Sequence, residues 1–215
     1  STYAKKFNDR AIKEGWESSC VLIRGKGKHK PDWNDQHLAD RLNPEDIEEY
    51  RYWGALLTAK SAADKAMLMY KRKQWSMFYF DFDNRLHWFE YDAVKYQASY
   101  KSITEEKKDS GMSHEQIREL ALEASRSVRE IANCRPTALY YQAAPLTDEA
   151  WYYVRIDFPH DGPSVKCTFT GAQVRVAGEF SKRLIHVAPG ALYTGNQLHL
   201  DLWLKKQMYE IKTVQ

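Results

Sequence analysis

Much that would classify a protein quickly is missing from these 215 residues. No apolar run approaches the roughly 20 residues that a membrane-spanning helix needs, and the opening STYAKKFNDR has no apolar stretch after its charges, so neither a membrane span nor a secretory signal is expected. Cysteine is scarce. Cys20, Cys134 and Cys167 are odd in number, far apart and without CxxC spacing, which supports neither a disulfide framework nor a zinc knuckle and points to a reducing cytoplasm. The GxxxxGK[ST] loop is absent, so no Walker-type nucleotide site is expected. Internal repeats, low-complexity tracts and Gly/Ser/Pro linkers are also lacking. The chain therefore reads as a single α+β domain over 1–215, with a sub-boundary admitted near 60–75. Nor is there an excess of one charge: 32 Lys and Arg against 29 Asp and Glu leave a net +3, so a polyanion would have to be met by a local cluster.

Such a cluster stands near the amino end. RGKGKHKPDW, residues 24–33, sets Arg24, Lys26, Lys28 and Lys30 at every second position, the first three intervals opened by Gly25, Gly27 and His29. Alternating glycines oppose a helix and let backbone N–H groups approach phosphates beside the cationic side chains, while Trp16 and Trp33 could stack on unpaired bases. A nucleic-acid backbone clamp and a solvated surface loop account for this pattern equally well.

The rest alternates helical and strand patterns. Tyr3, Phe7 and Ile12 predict a helix stopped at Gly15, and SSCVLIRG a short strand. Asn43 and Pro44 start a helix running through EYRYWGALL, and Ser61 with Asp64 caps another over SAADKAMLMYKRKQW, whose last turn carries Lys71, Arg72 and Lys73. MFYFDF and RLHWFEY flank Asp83-Asn84 as a β-hairpin. KYQASYKSITEEKKDSG reads as a connector. Ser113 and Gln116 box the start of a helix over SHEQIRELALEASRSVREIANC, with Ile117, Leu120, Ala121, Ala124, Val128 and Ile131 as its apolar stripe. TALYYQAA, AWYYVRIDF and SVKCTFT read as three antiparallel strands, and QLHLDLWL as a helix started at 194–196. The expected fold is α+β, a mainly antiparallel sheet of about five strands with helices packed on one face.

A second basic cluster is Lys71, Arg72 and Lys73 followed by Trp75 and the ring-rich hairpin with Tyr79, His87, Trp88 and Tyr91. A basic helix end beside exposed rings suits a single strand, with Trp33, Trp75 and Trp88 as stacking candidates. The plainer reading makes the rings the two faces of a sheet, Phe78, Phe80 and Phe82 inward and Tyr79 and Asp81 outward.

Asp81 and Asp83 on one strand with Asp157 on another follow the order of acidic motifs in archaeo-eukaryotic primases, where such residues hold Mg2+ for nucleotidyl transfer. The Ser-x-His strand those enzymes carry between the motifs is missing, and Asp83 falls at a hairpin turn. His29, Asp32 and His37 lack ligand spacing. Tyr96 and Tyr100 lack the His-hydrophobe-His motif of rolling-circle nickases, and no serine or cysteine has a convincing base.

Finally, GEFSKRLIHVAPGALYTGNQLHLDLWLKKQMYEIKTVQ, through Phe180, Lys182-Arg183-Leu184, Ala188-Pro189-Gly190-Ala191, Thr194-Gly195, Leu198 and Lys212-Thr213-Val214, resembles a stretch of primase-helicase-type replication proteins of phages, plasmids and integrated elements, within an accessory region before an ATPase core. The resemblance covers under a fifth of the chain. It implies a RecA-like or related motor beyond the last residue, and it carries over no catalytic residue. The strand-like ending MYEIKTVQ agrees with the amino-terminal part of a longer protein.

These readings converge on a non-catalytic, nucleic-acid-binding accessory domain of a mobile-element replication protein, without a cofactor, its ligand single-stranded DNA and its further partners other replication proteins or a second copy. Two alternatives stay open. One is a primase-like or nuclease-like transferase using Asp81, Asp83, Asp157 and Mg2+. The other is a protein-interaction module in which the acidic stretch 35–49 and the basic comb dock charged faces.

Overall fold

The computed structural model describes residues 2–23, 31–107, 111–143, 149–160 and 162–194, with Trp203, Lys205, Lys206 and Tyr209 from the tail. Its contacts divide the chain into two compact units, Ser1–Trp75 and Ser76–Gln215.

The first unit is helical: α1 (Thr2–Lys13), α2 (Trp33–Leu38), α3 (Pro44–Thr58) and α4 (Ala62–Lys73). Local chemistry sets the boundaries. The Asp32 carboxylate accepts from the Asp35 N–H while Asp35 reaches back to the Asp32 N–H, and Asn43 and Ser61 accept from the N–H groups of Asp46 and Asp64. Each such cap is worth about 1 kcal/mol. Gly15 ends the turn after α1 at φ +85, a conformation that costs glycine no steric penalty.

Residues 16–23 are not the strand that SSCVLIRG suggests. A strand needs a neighbouring strand to satisfy its backbone, and this segment lies instead against α3, where the Leu22 N–H donates to the Tyr50 carbonyl at 2.9 Å. Gly54 makes the approach feasible, since a Cβ there would stand 1.7 Å from the Cys20 carbonyl oxygen. Among the described residues, the buried apolar side chains of this unit are Tyr50, Ala59 and Ala66. The Tyr50 hydroxyl donates to Gln36 Oε1 at 2.5 Å, so its polar end is satisfied.

The second unit contains β1 (Met77–Phe82), β2 (Arg85–Tyr91), α5 (Ala93–Glu106), α6 (His114–Ala124), β3 (Arg126–Ala132), β4 (Arg135–Ala143), β5 (Ala150–Asp157), β6 (Ser164–Thr170), α7 (Gly171–Arg175) and α8 (Ala177–Val187). The class is α+β, but its strands form two three-stranded antiparallel sheets, β1-β2-β3 and β4-β5-β6, rather than one sheet of about five. The additional strand comes from the tail of the predicted long helix. That helix stops at Ala124, where the Ser125 N–H and hydroxyl return to the carbonyls of Ala121 and Leu122. Residues Arg126–Ala132 then pair with β2, so Val128 and Ile131 belong to a strand. The hairpin forms as its turn residues predict, with Asp83 at φ 49 and Asn84 at φ 53, and it pairs Tyr79 with Trp88.

The predicted connector 95–111 is mostly α5, started by Asp92, whose carboxylate accepts from the N–H groups of Val94 and Lys95. None of its residues is fully buried, so it carries little of the apolar stripe that marks a helix in sequence. The core brings together Tyr79, Leu86 and Trp88 from one sheet, Val154, Ile156 and Phe169 from the other, Val174 of α7, and Phe180 and Leu184 of α8. In the tail the described residues Trp203, Lys205, Lys206 and Tyr209 are helical, and Trp203 packs on Phe180 with ring centroids 5.3 Å apart.

Candidate nucleic-acid interface

The last turn of α4 carries three consecutive cations, and the structure divides their work. Cations there face the negative end of the helix dipole, which explains their local placement. Arg72 is committed to joining helices. Its guanidinium pairs with Glu49 of α3 and lies 4.1 Å from the centre of the Tyr52 ring. Glu49 also accepts from Trp53 Nε1 at 2.6 Å. The Arg72 hydrogen bond holds the Glu49 carboxyl below the usual range, against partial desolvation and with help from Trp53.

Lys71 and Lys73 face outward. Lys71 is exposed and makes no ion pair among the described residues. The Lys73 ammonium stands 4.3 Å over the ring of Trp75, which is 54% exposed. Trp33 is 46% exposed and meets Tyr50 edge-on at 5.9 Å, so its ring is anchored on one side only. Trp16 is also exposed. The comb residues Arg24, Lys26, Lys28 and Lys30 lie outside the described residues.

Trp88 does not fit the stacking role its sequence neighbourhood suggests. It is 4% exposed, packs on Tyr79 at 4.6 Å and donates from Nε1 to Glu90 at 3.0 Å. Tyr79, expected to point outward, is buried with it, because this face of the hairpin looks into the core of its own unit. Phe78, Phe80, His87 and Phe89 on the opposite face are buried as well. Alternation alone cannot distinguish a strand wet on one side from a strand covered on both.

The three acids of the transferase alternative are held by basic side chains. Arg135 reaches Asp157 at 2.8 Å and Asp81 at 3.4 Å, placing a guanidinium between the two carboxylates. Asp157 accepts further from Arg155 Nε at 3.0 Å and from the Ser164 hydroxyl at 2.5 Å. Burial alone would raise its carboxyl, but the Ser164 and Arg135 hydrogen bonds and the two nearby guanidiniums outweigh that and hold it low. Asp83 pairs with His160 at 3.4 Å. Among the described residues no group of three or more His, Cys, Asp or Glu side chains is arranged to hold a metal ion. The buried thiols are poor nucleophiles, because desolvation pushes Cys134 up to about 12 and Cys167 up to about 11.

No motif points to Tyr140, Trp151 and Tyr153, yet Tyr140 and Trp151 are exposed rings of the second sheet and Tyr153 is half-buried beside them. The signal for them is the alternation in AWYYVRID, where Trp151, Tyr153 and Arg155 interleave with Tyr152, Val154 and Ile156.

No protein-family model, no curated protein and no solved structure matches the chain. What the fold defines is a class: an α+β protein with two three-stranded antiparallel sheets. Among the described residues no helix is long and apolar enough to cross a membrane.

Proposed function

We propose that this chain binds single-stranded DNA as a non-catalytic accessory module of a mobile-element replication protein, meeting phosphates with Lys71 and Lys73 and bases with Trp33 and Trp75. The observation that carries the reading is the end of α4, where two exposed lysines adjoin a tryptophan ring that is itself more than half open to solvent. Cations and rings in alternation are what a single strand requires, since every base has a π-face and every phosphate a charge. The comb at 24–30 supports the same reading by composition alone, and the replication setting rests on the resemblance of residues 178–215.

Fluorescence anisotropy of labelled single-stranded and duplex DNA at two salt concentrations tests the reading. Binding should weaken steeply with salt, with a log–log slope of about −0.7 per phosphate neutralised on a single strand. Replacing Lys71 and Lys73 by alanine should flatten the slope by roughly one unit and weaken binding at low salt. No binding, or affinity indifferent to salt, would end the proposal.

A further inference from the structure

The second sheet has an outer face whose composition the core does not explain. In the register of β4, β5 and β6, Tyr140 pairs with Tyr153 and Tyr153 with Thr168, Gln142 with Trp151 and Trp151 with Thr170, and Thr137 with Arg155 and Arg155 with Lys166. Val154, Ile156 and Phe169 point the other way, into the core. Tyr140, Trp151, Tyr153, Arg155 and Lys166 therefore share one side of the sheet.

Two features of this side call for a ligand. The first is apolar surface in water: Tyr140 is 48% and Trp151 43% exposed, and Tyr140 stacks on Tyr153 at 4.3 Å with their planes 19° apart. A pocket of about 270 Å³ borders Tyr140, Tyr153, Lys166 and Thr168. The second is charge. Arg155 and Lys166 stand directly opposite each other on neighbouring strands, an arrangement that costs stability unless an anion answers it. Asp157 answers Arg155 in part, but it is shared with Arg135, and Lys166 has no ion pair among the described residues.

We infer that this face is a binding platform for single-stranded nucleic acid, with bases on Tyr140, Trp151 and Tyr153 and backbone phosphates on Arg155 and Lys166. Residues two apart on a strand lie about 6.8 Å from each other, so Trp151, Tyr153 and Arg155 form a row from ring to ring to cation along β5. Such a row suits a chain of alternating bases and phosphates better than a compact anion, which would need only the cationic end. The platform shares its ligand class with the function proposed above but none of its residues, so the two can fail separately.

The experiment uses the full chain and labelled oligo(dT), read by fluorescence anisotropy, with circular dichroism and the thermal midpoint as checks on folding. Trp151→Ala should weaken binding about tenfold, and Trp151→Phe, which keeps a ring, should stay within about twofold of the parent. Lys166→Glu should weaken binding most at low salt. A variant with Lys71, Lys73 and Trp75 changed to alanine separates the units: if it alone loses affinity, the platform is refuted and the first site stands. If only the Trp151 and Lys166 variants lose affinity, the platform stands and the first site falls. Absence of any oligo(dT) binding refutes both, and a self-association abolished by Trp151→Ala would then assign the face to a second copy of the chain.

Discussion

The two units use the same kinds of residue in opposite ways. Among the described residues, the first buries one tyrosine and two alanines as its apolar core and leaves Tyr3, Phe7, Trp16, Trp33, Leu38 and Trp75 exposed. The second encloses Tyr79, Trp88, Phe169 and Phe180 within a layered core of two sheets and two helices. The first is held by caps and polar joints such as Glu49 with Arg72; the second is held mainly by area removed from water. Rings in the first unit are therefore open to a ligand, while most rings in the second serve packing, those of the outer sheet face excepted.

The sharpest way to break this contrast is to open the second core. Phe180 is fully buried, stacked on Phe169 at 4.7 Å and packed against Trp203, so Phe180→Ala should cost about 4 kcal/mol and lower the thermal midpoint by on the order of 10 °C. A loss below about 1 kcal/mol would mean that this core is loosely packed.

Asp157 gives the next effect. Asp157→Asn removes the charge shared by two guanidiniums and should cost about 2 kcal/mol near neutral pH. Because the folded carboxyl titrates below its unfolded value of about 3.9, its contribution is complete above that value and disappears as the pH falls through the lower folded value. Denaturant melts between pH 5 and 2 should show a steeper acid loss in the parent than in the variant. Equal slopes would show that Asp157 contributes nothing to acid sensitivity.

In the first unit the informative change is Gly54→Ala, because its sign is diagnostic. Alanine favours a helix interior by about 1 kcal/mol over glycine. The close approach of the Cys20 carbonyl should reverse that and give a net loss of about 2 kcal/mol in equilibrium unfolding. A gain in stability would mean that the segment 16–23 does not rest on α3 in solution. The smallest effect is expected for Glu49→Gln, below about 1 kcal/mol, since both partners of that pair are about one-third exposed. Its more sensitive readout is Arg72, which should then gain motion detectable in side-chain relaxation.

Local signals were legible wherever a residue answers its own backbone. Asn43 with Pro44, Ser61 with Asp64, Ser113 with Gln116, and Asp83-Asn84 mark helix starts and a hairpin because the groups involved are three or fewer residues apart. The site was legible in part for the same reason: Lys71, Lys73 and Trp75 are recognisable as a helix end and its neighbour. Trp88 was not, because nothing in MFYFDF or RLHWFEY states that both faces of the hairpin are covered.

What the sequence determined by itself is thus the position of caps and turns, the balance of charge, and the alternation that separates Trp151, Tyr153 and Arg155 from Val154 and Ile156. Tertiary structure decided that Arg126–Ala132 leaves its helix to pair with β2, that the strands divide into two sheets, and that Arg135 rather than a metal ion stands between Asp81 and Asp157. Those outcomes depend on partners 22 to 54 residues away for the two ion pairs of Arg135, and on a comparable separation for the strand pairing. Hydrogen bonds and burial at that range are set by which surfaces meet, and no local pattern of residues encodes the meeting.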